Sequence, residues 1–215
     1  MSWWRTKSYL AVIVAAVVAV AGMAVWRWTH NRPPYGQEAL AITSSLSLVS
    51  YAEAQAALGE NYQAPLASDE RDQLVLGTVA WRPPPEPLDG GYFAVFLIDK
   101  RTNLKPGVFA VSAPQEAVSL GSAGVENRIA ERYAWLRGAG DVKVGDNEWR
   151  SNGNRLGVFD ATASPLTFVA RFPYVADAAR EPTTAAAPVG MSDLLLALVY
   201  LGPDGQVYWA QRLQG

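Results

Sequence analysis

The chain reads as α+β: an N-terminal transmembrane helix, then one mainly antiparallel β-sheet (or sandwich-like) domain with one or two packed helices. Three observations predict this. An uncharged apolar run fills Tyr9 to Trp26. Apolar or alternating runs of strand length, separated by Gly, Pro and Asn, fill most of the remainder. Two segments with helical caps or helical periodicity interrupt them. The predicted organisation is a short cytoplasmic N-terminus (1–8), a transmembrane helix (9–26), a linker (27–36) and an extracytoplasmic α+β domain (37–215).

The 18 residues from Tyr9 to Trp26 carry no charge. As a helix at ~1.5 Å per residue they cover about 27 Å, close to the hydrocarbon core of a bilayer. Trp3 and Trp4 precede the run and Trp26 and Trp28 close it, so amphipathic indoles fall where two membrane interfaces would lie. The competing reading is a cleaved signal peptide, with Arg5 and Lys7 as its charged head, Leu10 to Val18 as its core and Ala19-Val20-Ala21 as its cleavage site. It implies secretion after cutting near Ala21. Apolar residues continuing through Val25 favour the retained anchor. Arg5, Lys7 and the free amine face Arg27 and Arg32 across the run, a thin margin that places the N-terminus in the cytoplasm and the domain outside the cytoplasmic (inner) membrane.

Composition excludes several classes. Four of the 18 basic residues (Arg5, Lys7, Arg27, Arg32) lie in the first 32 positions, so 14 remain against all 20 acidic residues, a net charge near −6 for the domain. Such a domain repels phosphate backbones, so no nucleic-acid partner is expected. The chain has no cysteine and one histidine, which excludes thiol chemistry and leaves the usual zinc sites without ligands. That histidine, His30, adjoins the membrane run, far from any place a Ser-His-Asp base would occupy.

Each element follows from local signals. "NRPPYGQ" is a stiff connector, because Pro33 and Pro34 favour extended backbone. Leu40, Ile42, Leu46 and Leu48 fall on alternate positions, as in a half-buried strand, although Ser44 interrupts that face and nearness to the anchor leaves a helix as the competing reading. "SYAEAQAALG" predicts a short helix in which Ser50 and Glu53 form a capping box and Gly59 ends it in a left-handed turn. "DQLVLGTVAW" is a strand running into the rigid loop "RPPPEPLDGG".

Three hairpins are predicted beyond that loop. "GYFAVFLID" and "GVFAVSA" flank "KRTNLKP"; "DVKVGDNEW" and "RLGVFDA" flank the tight turn Asn152-Gly153; "LLLALVYL" and "QVYWAQRL" flank "GPDG", where Gly205 is free to take positive φ. Between the first two, "VENRIAERYAWLRG" places Val125, Ile129, Tyr133 and Leu136 on one stripe, a helix lying on the sheet and stopping at Gly138. "LLLALVYL" is apolar on both faces and predicts a central strand, whereas "QVYWAQRL" has polar ends and suits an edge. "DAAREPTTAAAPVGMSD" has no period and reads as a long loop.

Few residues invite chemistry. Asp99 and Asp160 each close an apolar strand and are the candidates for a two-carboxylate acid/base pair, although Asp at strand ends also serves local turns. Lys100, Lys105 and Lys143 sit where lysines are solvated, which disfavours Ser-Lys catalysis. "DVKVGDNE" offers Asp141, Asp146, Asn147 and Glu148 without the periodicity of a calcium loop. No nucleotide-binding glycine motif occurs, so neither cofactor nor metal is expected.

Contact with a partner is the remaining class. Arg82, Pro84 and Pro87 in "RPPPEPL" could present a polyproline-like ligand, and the loops 82–91 and 177–193 suit contact with another protein. Trp81, Trp135, Trp149 and Trp209 would have to line one groove for the domain to hold a glycan or cell-wall polymer; core packing is their default role. Ala15, Ala16, Ala19, Ala21 and Gly22 give the helix a small-residue surface permitting close approach of partner helices. The expectation is a single-pass, membrane-anchored accessory protein rather than an enzyme, acting as a non-catalytic subunit of a cell-envelope protein complex. A polymer-binding module and a carboxylate-dependent hydrolase are the alternatives.

Overall fold

The computed structural model describes residues 3–30, 32–59, 72–82, 91–101, 108–112, 125–139, 142–143, 149–150, 155–160, 162–172, 188–202 and 205–215. Pro84, Pro87, Lys105, Asp141, Asp146, Asn147, Glu148, Asn152, Gly153, Pro203 and most of the loop 177–193 lie outside them. The chain divides into two units, Met1–Pro34 and Tyr35–Gly215.

The first unit is one helix, α1 (Trp3–His30). Within it Tyr9–Thr29 is long and apolar enough to cross a membrane, and its residues are unburied. The helix begins before and ends after the apolar run 9–26 because nothing in the flanks breaks it. Residues 27–30, assigned to the linker from the sequence, form its last turn. There the Thr29 hydroxyl donates to the carbonyls of Val25 and Trp26 at 3.0 and 2.9 Å. Pro33 and Pro34 then prevent continuation, and the Arg32 guanidinium lies 3.5 Å from the centroid of the Trp28 ring.

The second unit contains two antiparallel four-stranded sheets. The first joins β1 (Thr43–Val49), β2 (Gln73–Ala80), β8 (Leu166–Phe172) and β4 (Val108–Val111) in that order. The second joins β10 (Val207–Gln214), β9 (Leu194–Leu201), β3 (Tyr92–Asp99) and β7 (Arg155–Asp160). A short pair, β5 (Val142–Lys143) and β6 (Trp149–Arg150), stands apart.

Alternation along the strands builds the core. Val75, Val79, Phe168 and Ala170 of the first sheet cluster with Phe93, Val95, Leu97, Leu196, Leu198 and Tyr200 of the second. The opposite faces of β3 and β9, with Ala94, Phe96, Ile98, Leu195, Ala197 and Val199, pack on Val125 and Ile129 of α3 (Val125–Arg132) and on Leu136. On the far side of the first sheet, Ala54 of α2 (Tyr51–Leu58) meets Leu74 and Val169. The layers therefore run α2, sheet, sheet, α3, the sandwich-like form of the expected α+β class.

The local signals hold in several places. The Ser50 backbone N–H donates to Glu53 Oε2 at 2.7 Å while the Glu53 N–H donates to the Ser50 hydroxyl at 3.3 Å, completing the capping box. Gly59 ends α2 with φ 77°, but its ψ of 175° is extended rather than left-handed helical. All residues of β9 are buried, as its two-sided apolarity requires, and β10 is the edge strand beside it. Gly205 in their connection takes φ 68°.

Others change. Leu40 is buried, but in a short 3-10 turn (Gln37–Leu40) that Ala41 separates from β1 with φ 44°. The amphipathic helix stops at Arg132, and Ala134–Ala139 continues as a 3-10 turn with Leu136 at φ −105°. The expected β3–β4 hairpin does not form: β3, apolar on both faces, is held centrally between β9 and β7, while β4 pairs with β8 in the other sheet. Likewise β7 pairs with β3, not with the strand preceding Asn152-Gly153, and β5 and β6 pair with each other.

One glycine is required by packing. Gly77 lies opposite Phe168 on the neighbouring strand, and a Cβ there would fall 2.1 Å from Cζ of the Phe168 ring. Gly77→Ala is therefore expected to destabilise the unit by about 1–3 kcal/mol through overpacking, measured by denaturant unfolding. Glu53 gives a pH prediction. Hydrogen bonds from the Ser50 backbone and then its hydroxyl hold the carboxyl below its ordinary value of 4.5, against a smaller opposing effect of burial. The unfolded chain then binds more protons at this group, so the contribution is complete above that ordinary value and is lost as pH falls through the lower folded one. Stability of Glu53→Gln should accordingly fall less steeply with acid than that of the native chain, followed by thermal unfolding across the carboxylate range.

Candidate functional site

Asp99 is buried, its side chain 7% exposed; the side chain of Asp72, paired with Arg171, is buried as well, at 2% exposed. Asp99 closes β3, and the turn that follows brings Arg101 back onto it. Arg101 Nη2 donates to Asp99 Oδ2 at 2.7 Å and Arg101 Nε to Oδ1 at 2.9 Å, a bidentate fork, while the Arg101 backbone N–H adds a bond of 3.0 Å. The guanidinium also donates to the Pro188 carbonyl at 3.0 Å, and Asp193 lies 4.0 Å away. The hydrogen bonds that the guanidinium donates to the Asp99 carboxylate raise the Arg101 pKa above its ordinary value, opposed by partial desolvation. With its oxygens engaged this way, Asp99 is a clamp holding the approach to β9.

Asp160 closes β7 in a local turn. Its Oδ1 accepts from the Thr162 N–H at 2.8 Å and from the Thr162 hydroxyl at 2.9 Å. The register separates the two acids: Asp160 pairs with Tyr92 at one end of β3 and Asp99 lies at the other. Seven residues at ~3.3 Å each is about 23 Å, well beyond the separation across which two carboxyls act on one glycosidic bond. Among the described residues no group of three or more His, Cys, Asp or Glu is placed to hold a metal.

The aromatic residues are spent largely on the core. Trp81 meets Phe93 in a tilted arrangement at 4.8 Å, and Phe93 stacks on Tyr200 at 5.0 Å and lies 6.0 Å from Trp209. Trp81 and Trp209 are buried, so neither lines a polymer-binding groove; Trp135 is half-buried outside this cluster. The Ser164 hydroxyl bonds both backbone groups of Trp81, and the Trp209 indole donates to the Tyr35 carbonyl at 3.1 Å. Among the described residues the buried Tyr200 hydroxyl finds no hydrogen-bond partner, and burial drives its pKa well above the ordinary value. An unpartnered buried hydroxyl costs about 1–3 kcal/mol, a penalty opposed by packing of the Tyr200 ring against Phe93, Tyr208 and Trp209.

Surfaces remain. The outer edge of β10 is guarded: Gln37 donates to the Ala210 carbonyl and Arg132 to the Val207 carbonyl. The outer edge of β1 differs, for no strand pairs with it among the described residues. Its residues Thr43 to Val49 include no charge and no proline, the usual guards of an open edge. Leu48 and Tyr51 beside it, 46% and 47% exposed, are the large apolar residues left in solvent in the described part of Tyr35–Gly215. Arg82 is exposed, and its backbone N–H donates to the Leu40 carbonyl at 2.6 Å. In α1, Trp26 and Trp28 are exposed; Trp3 and Trp4 form its first turn.

No protein family, curated protein or solved structure matches this chain. Function has to be inferred from the residues themselves. Sequence reasoning missed the partner of Asp99, although an arginine two residues beyond a strand-terminal aspartate is a usable signal. It also missed Gln73, whose side-chain amide bonds both the N–H and the carbonyl of buried Val189.

The two aspartates should separate in mutagenesis. Asp99→Asn, which leaves the Arg101 fork without its carboxylate, is expected to cost about 2–3 kcal/mol, and Asp160→Asn about 1 kcal/mol, both by thermal or denaturant unfolding. Equal losses would contradict the clamp.

Proposed function

We propose that the chain is a single-pass, membrane-anchored interaction protein, a non-catalytic subunit of a cell-envelope complex whose Tyr35–Gly215 unit lies outside the cytoplasm. The observation that carries this is α1: a helix of membrane-spanning length with its apolar residues unburied. The charge of Arg5, Lys7 and the free amine supports an N-terminus on the cytoplasmic side of an inner membrane. The structural employment of Asp99 and Asp160, and the burial of Trp81 and Trp209, favour interaction over hydrolysis or polymer binding. The uncharged edge of β1, which no strand pairs with among the described residues, together with Leu48 and Tyr51, supports a protein partner, since the backbone of such an edge is complementary to another extended strand.

Two measurements test this. Expressed with a C-terminal tag in a bacterial host, the chain should keep its full mass and be shaved by protease only after the outer compartment is opened. A product about 2 kDa smaller and free of the membrane would establish cleavage near Ala21 and a secreted protein instead. A photo-cross-linking residue at Leu48 should yield a protein adduct in the native membrane, and one at buried Leu196 should not; adducts at neither position would remove β1 as the contact surface.

A further inference from the structure

The outer face of the second sheet carries a cationic, aromatic strip within a unit of net charge near −6. Burial of Val125 and Ile129 beneath α3 turns Arg128 and Arg132, one helical turn apart, toward the start of β10. There Arg128 Nη2 donates to the Gly205 carbonyl at 3.2 Å and Arg132 Nη1 to the Val207 carbonyl. Farther along β10, the Arg212 guanidinium lies 5.2 Å from the centroid of the Trp135 ring. Arg132 lies 5.5 Å from the Tyr133 ring, and Tyr133 meets Trp135 edge-on at 6.0 Å.

These contacts hold each guanidinium from one side by a carbonyl or a ring, leaving other N–H groups of the exposed side chains toward solvent. Among the described residues no aspartate or glutamate forms an ion pair with any of the three; Glu131, exposed on the same helix, makes none with them, and Arg212 Nη1 donates to the Gly215 oxygen at 3.3 Å. Arg101 and Arg171, by contrast, are paired with Asp99 and Asp72.

Deepening the interaction reading above, on which it rests, we propose that Arg128, Arg132 and Arg212, with Tyr133 and Trp135, bind an extended acidic segment of a partner protein. The carbonyls that hold Arg128 and Arg132 are two residues apart, a span of no more than about 7 Å, matching the repeat of same-face side chains along an extended peptide. Alternate carboxylates on such a segment would meet the two guanidiniums in turn. The rings give a surface for the intervening apolar groups, and the acidic remainder of the unit repels the segment elsewhere, setting its position.

The test uses the full-length chain in nonionic detergent and a fluorescent poly-L-glutamate probe, read by anisotropy. Saturable binding that weakens with salt is expected, with a loss of roughly tenfold or more in Arg128→Gln/Arg132→Gln/Arg212→Gln. Arg212→Glu alone, at an exposed position where the arginine hydrogen-bonds only Gly215 among the described residues and lies over the Trp135 ring, should reduce binding several-fold with little change in unfolding temperature, which guards against misfolding of the triple variant. Absence of binding, equal binding by native and variant chains, or binding only to phosphatidylcholine vesicles containing phosphatidylglycerol would overturn the proposal. Cleavage of α1, which would overturn the anchored reading, leaves this strip and its glutamate binding intact.

Discussion

Strand β9 has no face toward solvent, and that constraint organises the Tyr35–Gly215 unit. Leu194, Leu196, Leu198 and Tyr200 fill the space between the sheets, while Leu195, Ala197, Val199 and Leu201 lie against the α3 side. At about 1.5–3 kcal/mol for each large side chain removed from water, this strand contributes more than any peripheral ion pair can. It forces two layers to exist, one on each side, and places β3 and β10 as its hydrogen-bonded neighbours.

Polar groups are then arranged to keep that strand in place. Arg101 ties Asp99 at the end of β3 to the Pro188 carbonyl, and the Gln73 amide grips Val189 from the opposite sheet. Asp193 accepts from the Gly190 N–H at 2.9 Å, and its carbonyl accepts from Lys100 at 2.8 Å. These bonds converge on the residues leading into β9, where a slip of one position would exchange its two apolar faces. The candidate acid is thus absorbed by the problem of register. The surfaces not used in this way lie at the periphery: the edge of β1 that no described strand pairs with, and the arginines of α3 and β10.

Several of these features were legible from local chemistry. The uncharged run of α1 is long and apolar enough to be read as a membrane-spanning helix from composition alone, and Ser50 with Glu53 can satisfy a helix start without help from elsewhere. The polar ends of β10 suit an edge as plainly as the two-sided apolarity of β9 excludes one. Even Asp160 was readable as a turn residue. Asp99 was readable as the end of a strand but not as a buried clamp, because the Arg101 that grips it is itself held by the Pro188 carbonyl, 87 residues farther along the chain. The approach of Arg212 to Trp135 was equally hidden, since it depends on which side of the second sheet α3 covers.

The sequence by itself determined where apolar surface must be hidden: around α1, on both faces of β3 and β9, and on one stripe of α3. Periodicity carries that information because a side chain's direction follows from its position in the strand or helix. Only the tertiary structure decided which strands are neighbours. It separated β3 from β4, joined β7 to β3, and placed Asp99 and Asp160 at opposite ends of one strand pair. The physical reason is that every strand offers nearly the same backbone donors and acceptors, so the partner is selected by how whole apolar faces pack, which no local pattern encodes.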